Sequence, residues 1–190
     1  MPRSSLQRFA PDELTRFLVA LDAALPERTF VILLGGGAAA LGHGVRTATK
    51  DLDTLTDVSD FESAIRQARR ATGLDIPMEQ TTVADLPYEF ESRLVRVMPH
   101  LERLELFVPE AHHLVLSKLV RAHAGDLAAI EELHARNPLS FDTLMRRYLD
   151  EMTHAIGDPV RLDGNFRLGV HVLFGELKLG EAQRALAARR

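Results

Sequence analysis

Leu14, Phe17, Leu18, Leu21 and Leu25 recur at the three- and four-residue spacing of a single helical face. The run opens at Pro11-Asp12-Glu13 and stops at Pro26. Proline suits a first helical turn, and acids suit the positive end of the helix dipole. A helix from Pro11 to Pro26 is therefore predicted. Arg28 to Leu34 is short, apolar and halted by glycines, the pattern of a buried strand. Gly36 to Leu41 reads as a short helix packed closely through alanines, Asp51 to Leu55 as a second strand, and Phe61 to Ala71 as a helix capped by Asp60 and ended by Gly73. Ile76, Met78, Thr81 and Val83 fit either a strand or a loop.

Tyr88 to Met98 alternates as a kinked strand ahead of Pro99, and Arg103 to Val108 is a cleaner strand closed by Pro109. From there the pattern turns helical: Glu110 to Ala124, Asp126 to Arg136, then Ser140 to Met152 with Ser140 as its cap. Gly-Asn and Gly-Glu pairs divide the tail from Leu162, and Glu181 to Arg190 is expected to be helical and frayed. The expected organisation is an α/β core over residues 1–109 and a helical part over residues 110–190 packed on it.

With 190 residues, 46% hydrophobic and 26% charged, the chain has enough apolar material for a sizeable core. A net charge of −4 gives no footprint of a general nucleic-acid binder. Arg66, Arg69 and Arg70 share one face of the expected helix, either a local basic patch for RNA or, the favoured reading, a solvated face. The chain has no cysteine, which excludes disulfides, thiolate catalysis and zinc fingers. No apolar run approaches the roughly 20 residues of a membrane span, and the first residues lack a signal-peptide core. A cytoplasmic protein is expected.

The candidate chemistry lies where the first strand meets Gly35-Gly36-Gly37 and where Asp51 and Asp53 follow. Glycines at a helix start expose backbone N–H groups able to hold phosphate. Carboxylates two residues apart on a strand point to one face, about 6 Å apart, and repel by roughly 3 kcal/mol at an effective dielectric near 20. A divalent cation removes that repulsion. The alternative is a turn or a helix cap, where aspartate bonds to its own backbone. A glycine turn this close upstream favours the metal–phosphate site. The glycine run lacks the Gly-Lys-Ser/Thr ending of a P-loop, and no serine sits in a nucleophile elbow.

Set in order, Gly35-Gly36-Gly37-Ala38, Thr49-Lys50-Asp51-Leu52-Asp53, Ser117-Lys118-Leu119-Val120-Arg121 and Asp126-Leu127-Ala128-Ala129-Ile130 resemble the motifs of the minimal nucleotidyltransferases, in particular the bacterial group related to the abortive-infection AbiEii toxins. Pro87 to Leu94 also looks like that group's central segment. The resemblance spans roughly residues 28–150. It implies an α/β (α+β) nucleotidyltransferase fold, a small mixed sheet with flanking helices and a C-terminal helical subdomain. It also implies Mg²⁺-dependent transfer of a nucleotide from a nucleoside triphosphate to a hydroxyl of RNA, protein or a small molecule. In that scheme Asp51 and Asp53 bind metal, while Gly35, Gly36, Thr49, Lys118 and Arg121 bind nucleotide. Arg93 and Asp126 support the site. A cognate antitoxin is an implied partner.

The family carries a third carboxylate on a later strand. Glu105 is the candidate, with Glu89 and Glu91 as rivals. Ala129 stands where the later helix would carry a second aspartate. These two departures keep a second reading open, a nucleotidyltransferase-fold module that binds a partner or nucleotide without catalysis. The eight histidines lack metal-ligand spacing. His112 and His113 diverge on a helix, and they read as partly exposed or helix-packing residues. His43 adjoins the expected phosphate loop, and Arg46 and Lys50 flank the aspartate pair, either to touch a nucleotide or, the favoured reading, to offset its charge.

Overall fold

The computed structural model describes residues 7–82 and 84–189. The chain folds as two compact units, one of Met1–Val83 with Leu94–Pro109 and one of Ala84–Arg93 with Glu110–Arg190. Residues 84–93, expected with the α/β core, belong to the helical unit.

In the first unit, α1 spans Pro11–Ala24, and Glu13 reaches back to accept a hydrogen bond from the Ala10 N–H at 2.8 Å. Strand β1, Thr29–Ile32, leads into α2, Gly35–His43. Strand β2 spans Leu52–Thr54, α3 Glu62–Thr72, and β3 Met78–Gln80. Gly73, in the left-handed conformation at φ 70°, ends α3 as expected. Asp60 does not cap α3. It lies inside a 3₁₀ turn, Ser59–Phe61, and Asp57 accepts from the Ser59 N–H instead. Strands β4, Val95–Val97, and β5, Leu104–Val108, complete the unit.

Strand β5 runs parallel to β1 and antiparallel to β4, while β2 and β3 are parallel to each other. The two groups join where Leu33 and Thr54 form an antiparallel bridge, so the strands lie in the order β3-β2-β1-β5-β4. The expected small mixed sheet with flanking helices is present. Val31, Leu33, Leu52, Thr54, Leu104, Leu106 and Val108 turn one face of the sheet into core, together with Leu14, Phe17, Leu18 and Leu21 of α1. Phe30, Glu105 and Phe107 alternate with these residues onto the second face.

In the second unit, the expected kinked strand over 88–98 is a 3₁₀ turn, Phe90–Arg93, that ends before β4 begins in the first unit. Helices α4, Ala111–Arg121, α5, Ala124–Arg136, and α6, Phe141–Glu151, follow the predicted pattern, and the Ser140 hydroxyl caps α6 by accepting from the Thr143 N–H. The tail, ambiguous in sequence, is α7, Pro159–Ala188, broken by a non-helical Gly175 at φ 79°. Among the described residues no helix is long and apolar enough to cross a membrane.

Asp22 ties the end of α1 to the entry of β5, accepting from the backbone N–H groups of Glu102, Arg103 and Leu104 at 3.3, 2.7 and 2.7 Å. Burial alone would raise its pKa, but these three donors and the Arg103 charge outweigh it and hold the carboxyl below its usual range. Asp22→Ala is expected to destabilise the protein by about 1–3 kcal/mol in urea denaturation at pH 7. Because the folded pKa is the lower one, the Asp22 contribution is complete above the unfolded value and fades as pH falls through the folded one. The gap between wild type and variant should therefore narrow on acidification.

Candidate active site

The site begins with atoms that are missing. After Leu33 and Leu34, the two residues beyond β1, the chain reaches Gly35, which opens α2 at φ +60°. A Cβ on Gly35 would lie 2.6 Å from Asp53 Oδ2, and one on Gly37 would lie 2.7 Å from Leu52 Cδ2. A Cβ on Gly36 would strike the Thr49 hydroxyl. Each glycine thus admits one side chain of the segment that carries the aspartates. The Asp53 carboxylate comes to rest over the first residue of α2, at the positive end of that helix.

Backbone bonds fix the strand that delivers it. The Leu34 N–H donates to Asp53 O at 2.8 Å, and the Leu55 N–H donates to Ile32 O at 3.0 Å. Leu52 and Thr54 are fully buried, whereas Asp51 and Asp53 are half-buried. Alternation within β2 places the Asp53 carboxylate on the opposite side from that core, with Asp51 just before the strand. Thr49, expected to bind nucleotide, is a brace: its hydroxyl donates to Asp51 O at 3.2 Å, and its backbone exchanges two bonds with Phe9. Asp51, Asp53, Gly35, Gly36 and Thr49 therefore come together.

Glu105 does not join them. It stands opposite Phe30 in β1, four residues before Leu34, the residue bonded to Asp53. Four residues are roughly 13 Å along a strand, with β1 itself intervening. Its neighbour is Arg28 at 3.9 Å. Of its rivals, Glu89 pairs with Arg93 in the second unit at 3.3 Å. Among the described residues no group of three His, Cys, Asp or Glu side chains is placed to hold a metal. Two hard carboxylates still suit Mg²⁺, which is commonly held by one or two carboxylates plus substrate phosphates and water. His43 is structural, its Nε2 lying 2.9 Å from Pro109 O.

The other expected site residues form two clusters in the helical unit. Lys118 and Asp126 are 6% and 8% exposed and pair at 3.2 Å, and Arg121 reaches the same Asp126 oxygen at 3.4 Å. The left-handed Ala122, φ 50°, makes the tight passage from α4 to α5 that joins them. Arg93 serves elsewhere. It donates to Glu151 at 2.8 Å and faces His113 Nε2 at 2.9 Å.

Sequence reasoning missed that second cluster. His113 is wholly buried on α4, the helix-packing alternative rather than the partly exposed one, and Arg147 pairs with Glu110 beside it. Burial, then the Arg147 and Arg93 charges, push the His113 pKa down to about 4 against the pull of Glu110 and Glu151. Burial would raise the Glu110 pKa, but bonds from His112 and Arg147 bring it down to about 2. Only the adjacency of the two histidines hinted at this, because the partners lie far apart in sequence.

A three-strand group joined through an antiparallel bridge to a parallel pair, with a glycine turn over an Asp-x-Asp strand, is consistent with a nucleotidyltransferase-type fold. The chain belongs to the family described as a nucleotidyltransferase of unknown function (DUF6036), which matches residues 13–163. No curated protein and no solved structure matches it.

Two outcomes test this geometry. Gly35→Ala is expected to lower stability by about 1–3 kcal/mol, from the left-handed backbone and the displaced Asp53 carboxylate, read by thermal unfolding. In the helical unit, the unfolded chain takes up the His113 proton near pH 6.5 and the folded chain only near pH 4. Stability should fall as pH drops through that window, and His113→Gln should flatten the slope in pH-dependent denaturation.

Proposed function

We propose that this chain transfers a nucleotide from a nucleoside triphosphate to a hydroxyl acceptor, with Mg²⁺ held by Asp51 and Asp53. One observation carries the reading: the Asp53 carboxylate lies over Gly35 at the start of α2, with Asp51 two residues before it in the chain. That puts acceptors for a hard cation beside backbone donors suited to phosphate. A bound divalent cation would offset charge on the attacking and leaving oxygens. The chain's own part is to hold the two carboxylates rigidly: the Leu34–Asp53 backbone bond sets the strand, and Thr49 fixes the carbonyl of Asp51. The ordered motifs resembling those of AbiEii-type toxins support a cytoplasmic role within a toxin–antitoxin pair.

A second reading, nucleotide or partner binding without transfer, is favoured by the distant Glu105 and by Ala129. The measurement that separates them uses Mg²⁺ and each labelled triphosphate, with titration calorimetry run beside a label-transfer assay. The transfer reading expects product from the wild type and a loss of roughly a hundredfold or more in Asp51→Asn and Asp53→Asn. Binding without product would establish the module instead, and neither binding nor product would remove both.

A further inference from the structure

The second face of the sheet carries an aromatic pair that the reading above does not use. Phe30 and Phe107 meet with ring centroids 4.8 Å apart and planes 34° apart. Phe30 is 47% exposed, an unusual place for a phenyl ring in a strand. Arg96 stands directly across from Phe107 in the β4–β5 register and therefore shares its face. It is exposed and makes no ion pair among the described residues. Arg28, two residues before Phe30 in sequence, has a side chain 78% exposed. Beside the rings runs a groove of about 650 Å³ lined by Glu27, Arg28, Arg96, Glu102, Arg103 and Glu105.

This face is also the one that bears Asp53. Thr54 is the bridge partner of Leu33 and points to the buried side, so Asp53 points to the side of Ile32 and Phe107. Phe107 is level with Ile32, and Asp53 is level with Leu34. Two residues along and two strands across give a separation of about 12 Å. An acceptor whose hydroxyl reaches Asp51 and Asp53 thus has its neighbouring portion at the rings.

We propose that Phe30 and Phe107, together with the groove residues Arg28 and Arg96, stack an unpaired base of a single-stranded nucleic acid that serves as the acceptor. The proposal rests on the transfer reading and names its substrate class. An aromatic platform is sequence-tolerant because every base offers a π-face, and an adjacent guanidinium serves a phosphate or a base plane. Groove carboxylates accept hydrogen bonds from exocyclic amino groups. Three arginines balance three glutamates in the groove, and Arg103 is already committed to the Leu25 carbonyl at 2.7 Å. Stacking, rather than bulk charge, therefore dominates the contact, in keeping with the net charge of −4. A duplex hides its base faces and is excluded.

The test is fluorescence anisotropy of the full chain with a labelled single-stranded oligoribonucleotide of mixed sequence, its duplex form, and an unrelated peptide rich in serine and tyrosine. The single strand should bind in preference to duplex and peptide, with only a shallow loss on adding salt. Phe30→Ala should weaken it about tenfold or more, Arg96→Ala less, and Phe30→Trp should retain it. Thermal unfolding of each variant separates lost stacking from lost folding. Asp53→Asn should keep oligonucleotide binding while losing label transfer. No binding of the single strand, equal binding of duplex, or unchanged binding by a folded Phe30→Ala overturns the proposal. Transfer of label to peptide without oligonucleotide binding would leave the transfer reading standing and this one refuted. Phe30-dependent binding without any transfer would sink the transfer reading and reduce the platform to a nucleic-acid binding surface.

Discussion

The contact between Asp53 and the bare backbone of Gly35 governs the first unit. Two like charges about 6 Å apart repel by roughly 3 kcal/mol at an effective dielectric near 20. The start of a helix returns about 0.3–1 kcal/mol, up to about 2 in a partly buried geometry. The helix end therefore eases the repulsion between Asp51 and Asp53 without cancelling it. What remains favours a cation over the pair, and the same helix end that welcomes a carboxylate also welcomes phosphate. A site that wants both signs of charge at once is suited to a metal–triphosphate complex rather than to either ion alone.

One-sided burial explains why the chemistry gathers on a single side of the sheet. Helix α1 and the apolar residues of β1, β2 and β5 take the first face entirely into the core. The charged and exposed aromatic side chains of those strands then alternate onto the second face, where Asp53, Glu105, Phe30 and Phe107 are found. A shift of one residue in β2 would send Asp53 into the core and bring Leu52 or Thr54 out. The Leu34–Asp53 bond and the Gly37–Leu52 approach prevent that slip from opposite sides of the strand.

The helices were legible because their apolar stripes repeat within the chain, and α1 and α4 to α6 needed nothing from afar. Asp53 was legible for the same local reason, since alternation alone sets its face. The glycines were legible as a turn but not as what they are. Their purpose is the clearance of Thr49, Leu52 and Asp53, and that depends on a strand some fifteen residues later coming to lie beside them. Glu105 looked like a third carboxylate because alternation gives a face without giving a level. Its level comes from pairing with Phe30, which no local pattern encodes. Strand β3, with three residues and one buried side chain, is too short to carry a period. Arg93 and His113 drew their roles from Glu151 and Arg147, contacts between distant stretches of sequence.

The helical unit poses its own question of charge. Lys118 and Arg121 share Asp126, so two cations meet one carboxylate and the cluster keeps a net positive charge. An aspartate at position 129, one turn along α5 from Asp126, would cancel it. Ala129 is instead buried among apolar residues of that helix. Separating Lys118 from Asp126 would strand a buried charge at a cost of about 3–5 kcal/mol, so the lysine is poorly placed to leave its partner for a ligand. Arg121 is different: its side chain is 60% exposed, and a guanidinium that gives one N–H to Asp126 has four more. The absent aspartate thus argues less for a lost function than for a cluster whose exposed arginine retains both charge and donors for an anion.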